Sequence, residues 1–123
     1  MIKTAHKNKE ELLVNFNLPK IDVYLKSNEK YFHEGGFISF EKELELIGDF
    51  TTMSCHYIKT FELLCTVTNT MERFHILVDS INGLYHQFLR NILLNEKDFE
   101  MVMKRFLELK NLVNETFGDE FLF

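Results

Sequence analysis

The sequence predicts a mainly α protein: a small helical bundle built on a C-terminal antiparallel helical hairpin. Three observations carry that expectation. From about Thr70 to Phe117, apolar residues recur at three- and four-residue steps, the repeat of a helix face. Residues that start and stop helices stand at the ends of both runs. With 123 residues, 46% of them apolar and 27% charged, one domain spanning 1–123 can bury a core without disulfide or metal staples. The alternative is an α+β fold, in which a small antiparallel N-terminal sheet packs on that hairpin.

The elements follow in chain order. Lys3, Lys7 and Lys9 make residues 1–9 basic, and this stretch reads as a flexible solvated tail. From Leu12 to Leu25 two patterns compete. Leu12, Val14, Phe16 and Leu18 alternate as in a strand, as do Ile21, Val23 and Leu25 after Pro19. Ile21, Leu25 and Phe32 also align on one face of a helix over Lys20–Phe32 that Gly35 would stop. Glu34–Gly35–Gly36 would equally close a hairpin onto Phe37–Leu46.

Phe40, Leu44, Ile47, Phe50, Tyr57, Phe61, Leu64 and Val67 keep helical steps. Ser39 is placed to cap a short helix ended by Gly48, with a second helix from Asp49 or Thr51 to about Thr68. The β-branched Thr60, Thr66, Val67, Thr68 and Thr70 weaken it. Periodicity therefore leaves residues 10–68 open between helix and sheet.

The last two helices are the clearest. Asn69 with Glu72 forms a capping box, followed by the apolar face Met71, Phe74, Leu77, Val78, Ile81, Leu84, Tyr85, Phe88, Leu89 and Ile92. After the short link Leu93–Leu94–Asn95, Asn95 caps the final helix and Asp98 sits at its third position. Its apolar face is Phe99, Val102, Met103, Phe106, Leu109, Val113 and Phe117, and Gly118 ends it.

Composition narrows the function classes. Thirteen Phe and eleven Lys against one Ala, one Pro and three Arg match AT-rich codon usage, as in low-GC bacteria, phages and other viruses. This discounts the phenylalanines as evidence of an aromatic site. A net charge of −5 makes direct nucleic-acid binding the weaker expectation, because phosphates need basic neutralisation. No segment approaches the roughly 20 apolar residues of a membrane span, and no signal peptide is apparent. The expected location is the cytoplasm, of its own cell or of an infected host, with Cys55 and Cys65 as two buried reduced thiols.

No motif assembles chemistry. His75, Asp79, Asn82 and His86 share a strip opposite the apolar face of their helix. His75 and Asp79 are one turn apart, but His86 lies about 10 Å beyond Asp79. A metal site at His75, Asp79 and His86 would need His33 or His56 from elsewhere, and a solvated polar face is the plainer reading. Cys55–His56 are adjacent and point apart, no serine sits in a Gly-x-Ser-x-Gly elbow, and Gly35–Gly36 makes no phosphate cradle. No catalytic residue, metal or cofactor is therefore assigned.

Two features point to a partner. Beyond Gly118 the sequence continues Asp119–Glu120–Phe121–Leu122–Phe123, acidic and then aromatic. It resembles peptides that dock on replication sliding clamps, and the acidic Phe-ended tails of single-stranded-DNA-binding proteins. That resemblance implies aromatic anchors in a pocket and an acidic flank on a basic rim. Met101 and Leu112, on the polar back of the last helix, would mark a subunit or partner surface.

The expectation is a non-enzymatic protein–protein interaction module. It would be a phage- or mobile-element-type regulator or inhibitor, binding a host or self complex, with a protein or a second copy as partner. The alternatives are a metal-dependent helical-bundle enzyme, and an accessory factor of a nucleic-acid-processing complex docking through the C-terminal tail.

Overall fold

The computed structural model describes residues 20–32, 38–94 and 96–118, and every element among them is helical. The helices are α1 (Ile21–Ser27), α2 (Phe40–Thr68), α3 (Phe74–Leu93) and α4 (Phe99–Phe117), with 3-10 turns at Glu29–Phe32 and Met71–Arg73. The strand readings of Ile21–Leu25 and Phe40–Leu46 are thereby corrected. Those residues bury one helical stripe each, through Ile21 and Leu25 and through Leu46, which alternation alone does not distinguish over so few residues. Leu12–Leu18 and the Glu34–Gly36 turn lie outside the described residues.

The three long helices bury the same spacing. On α2 the stripe is Leu46, Phe50, Met53, Tyr57, Phe61 and Leu64. Leu77, Ile81, Leu84, Phe88 and Ile92 form it on α3, and Val102, Phe106, Leu109, Val113 and Phe117 on α4. Steps of four and three hold each stripe on one side of its helix. The central helix is α3, packed against α2 and against α4.

Short elements close one end of this layer. Tyr24 of α1 lies against Phe50 and Phe88, with ring centroids 6.2 and 6.4 Å apart. Phe32, fully buried, bridges Phe88 and Phe99 at 5.5 Å from each. Burying such a ring contributes about 1.5–3 kcal/mol, and well-placed aromatic neighbours add about 0.5–1.5 kcal/mol. Lys97 Nζ donates to the Tyr31 carbonyl at 3.1 Å, fastening the α3–α4 connector to the same turn.

Local side-chain chemistry sets the helix ends. Ser39 caps α2 as expected, its side chain accepting from Lys42 N at 3.2 Å. Gly48 does not end a helix. It lies inside α2, where core residues on either side of it hold the backbone helical despite its entropy. Asn69 is the left-handed stop of α2, with φ 57°, rather than the cap of α3. Thr70 N donates to the Cys65 carbonyl at 2.8 Å and Asn69 N to Thr66 O at 3.4 Å, the paired bonds that satisfy a helix's last carbonyls. Asp98, not Asn95, caps α4, accepting from Met101 N at 3.0 Å. Asn95 is outside the described residues. Gly118 ends α4 with φ 108°, as its sequence position predicts.

Arg73, at the start of α3, lies 4.0 Å from Glu115 near the end of α4. At the other end, Asn91 is fully buried and joins α3 to the connector. Its Nδ2 donates to Gln87 O at 2.9 Å, and its Oδ1 accepts from Asp98 N at 2.7 Å.

Candidate interaction surface

The polar strip of α3 faces water. His75, Asp79, Asn82 and His86 are all exposed, as is His56 on α2, while His33 lies outside the described residues. Among the described residues no three His, Cys, Asp or Glu side chains stand close enough to hold an ion. The strip thus brings no ligand set together, and the interval from Asp79 to His86 is the physical reason. The two cysteines differ. Cys65 is buried, and burial pushes its thiol pKa up, with the Glu72 charge adding to the rise and a hydrogen bond to Thr70 opposing it. Cys55 is exposed, which corrects the expectation of two buried thiols.

The expected partner-binding residues land as follows. Asp119, Glu120, Phe121, Leu122 and Phe123 are outside the described residues. Met101 is half-buried. Leu112 is half-buried and packs against the core, so it is not the free apolar residue its helical position suggests. Among the described residues of α4, the large exposed apolar side chain is instead Leu107.

A different surface is more apolar. Phe40 is 73% exposed and Leu44 54%, one turn apart at the start of α2. Their helical steps suggested core, but the buried stripe begins at Leu46, on another side of the helix. Leu93 and Leu94, at the end of α3, are also exposed. With His86, Leu89 and Arg90 they line a groove of about 330 Å³. Arg90 is held beside it by an ion pair with Glu96 at 3.2 Å.

Register brings these two groups to one end of the molecule. Thr51 and Tyr85 share a hydrogen bond of 2.6 Å, and the rings of Phe50 and Phe88 stack at 4.3 Å. The short turn between Thr68 and Phe74 reverses the chain, so residues earlier in α2 lie beside residues later in α3. One turn from Thr51–Tyr85 sets Ile47 by Leu89, and the next sets Leu44 by Leu93. Sequence reasoning missed this surface. Its available signal was the second apolar stripe of α2, which the core stripe obscured.

A second cleft, of about 390 Å³, lies between α1 and α2 and is lined by Tyr24, Asp49, Thr52, Met53 and His56. The Tyr24 hydroxyl donates to Asp49 Oδ2 and to the Leu46 carbonyl, each at 3.4 Å. Burial raises the Tyr24 pKa well above the phenol range, and the Asp49 and Glu45 charges raise it further. Tyr24 therefore stays protonated and is no base at neutral pH.

Comparison with family models, with curated proteins and with solved structures finds no match.

Proposed function

We propose that this chain is a non-enzymatic protein–protein interaction module, with the α3–α4 hairpin as its rigid core. In this reading it is a phage- or mobile-element-type regulator that binds a host or self complex. The observation that carries the proposal is the exposure of Phe40 and Leu44, one turn apart at the start of α2, together with that of Leu93 and Leu94 along the groove of α3. Grouped apolar side chains on a folded surface are characteristic of contact sites, whereas single ones are ordinary. The Asp119–Phe123 segment supplies a second attachment point of acidic and aromatic character.

The test is capture from an extract of the source cell with immobilised chain, retained proteins being identified by mass spectrometry. Three baits are compared: the unaltered chain, Phe40→Glu, and a chain lacking 119–123. The unaltered chain is expected to retain a partner that Phe40→Glu loses at least tenfold, while circular dichroism and melting stay unchanged. Identical retention by all three folded baits would overturn the assignment of these surfaces. Loss of fold on removing 119–123 would instead place those residues in the core.

A further inference from the structure

We propose that the cleft between α1 and α2 binds a small alkylguanidinium, with the cation on Asp49 and the stem against Met53 and the Tyr24 ring. This site goes beyond the interaction reading above. At about 100° per residue, Asp49 lies half a turn round α2 from Phe40, so the cleft and the exposed Phe40 belong to separate sides of the helix.

The cleft holds about 390 Å³, near the lower end of the roughly 300–1,000 Å³ of small-molecule sites. Asp49, Thr52, Met53 and His56 line it in steps of three and four along one side of α2, and Tyr24 closes it from α1. Asp49 and His56 are about 10 Å apart along the helix, room for a planar head and a short alkyl stem. Buried Met53 is the apolar floor. Exposed Thr52 and His56 carry hydrogen-bonding groups toward the far end.

Charge selects the ligand. Among the described residues no Lys or Arg lines the cleft. Asp49 accepts a long hydrogen bond there, from the Tyr24 hydroxyl at 3.4 Å, whereas a carboxylate can accept about four. Glu45, one turn earlier in α2, adds negative charge, although Lys42 pairs with it at 3.2 Å. Both carboxylates push the Tyr24 pKa up, so the wall of the cleft sits in a negative potential and a cation is its complement. A guanidinium meets a carboxylate through two parallel N–H donors. Its flat face also stacks on an aromatic ring, which an ammonium cannot do.

Titration of the isotope-labelled full chain with butylguanidinium, followed by backbone amide NMR shifts, tests the site. Saturable shifts are expected at Tyr24, Asp49, Thr52, Met53 and His56. The expected Kd is on the order of 0.1–1 mM, as so few ligand atoms in an open cleft allow. Butylurea, the same shape without the charge, should bind at least tenfold more weakly. Asp49→Asn should lose binding at least tenfold with helicity unchanged, because Asp49 is exposed. Glu108→Gln, on α4, should bind as the unaltered chain does.

The absence of saturable shifts would overturn the site, as would shifts spread over unrelated carboxylates. So would equal binding of butylurea, or full binding by a folded Asp49→Asn. N-Acetylarginine N-methylamide carries the same head within a peptide. Binding confined to that compound would overturn the small-molecule assignment and give the cleft to an arginine of a protein partner.

Discussion

Asn91 shows how a single polar side chain can hold a connector. It sits among apolar neighbours at the end of α3, where the sequence pattern gives no reason for an amide. Its carbonyl accepts the backbone N–H of Asp98 at 2.7 Å, and its NH₂ donates to Gln87 O at 2.9 Å. Asp98 is in turn the cap of α4, so one amide fixes where the next helix starts. Asn91→Leu keeps the volume and removes both bonds, leaving the Asp98 N–H with the Glu96 carbonyl, at 2.8 Å, as its acceptor. The expected loss is about 1–3 kcal/mol in urea unfolding, the net worth of two hydrogen bonds at about 0.5–1.5 kcal/mol each. Asn82→Leu, on the exposed side of the same helix, should shift stability by less than about 0.5 kcal/mol. Equal midpoints for the two variants would show that the Asn91 bonds hold nothing.

Among the elements, α2 tests how far packing overrides propensity. It runs 29 residues through Gly48, a residue whose backbone freedom disfavours a helix interior. A Cβ built at Gly48 meets no atom within 4 Å, so Gly48→Ala should raise stability by about 0.5–1 kcal/mol. A lower thermal midpoint would mean that α2 needs a break there. The same helix shows why the fold was only partly legible. The buried stripes of α3 and α4 could be read directly, because each helix segregates its apolar residues to one side. On α2, Phe40 and Leu44 follow the same steps as Phe50 and Phe61 but point elsewhere. Periodicity reports the step, not which of two apolar sides is covered. Caps failed for a related reason: Asn serves helix starts and left-handed stops alike, so Asn69 was legible as an end but not as which end. Which apolar side of α2 is covered depends on its pairing with α3. That is a tertiary fact with no local signature.

At the scale of the whole molecule, buried phenols tie stability to alkaline pH. Tyr57 is fully buried on α2, and burial, reinforced by the Asp22 charge on α1, holds its pKa far above the ordinary 10.0. Tyr24, between α1, α2 and α3, is shifted the same way by burial and then by Asp49 and Glu45. The sign follows from proton counts. Below about pH 10 the phenols are protonated in folded and unfolded chains alike, and their contribution is intact. Above it the unfolded chain releases protons that the folded chain retains, so rising pH favours unfolding. Each such phenol contributes a slope of up to about 1.4 kcal/mol per pH unit. Urea midpoints should therefore fall steeply above about pH 10, and Tyr57→Phe, which cannot ionise, should make that fall shallower even if it is less stable at pH 7. An unchanged slope in Tyr57→Phe would mean that the Tyr57 hydroxyl reaches water in the folded chain. Because Asp22 and Tyr24 both belong to α1, the same titration also reports whether that short helix stays docked while the three long ones remain folded.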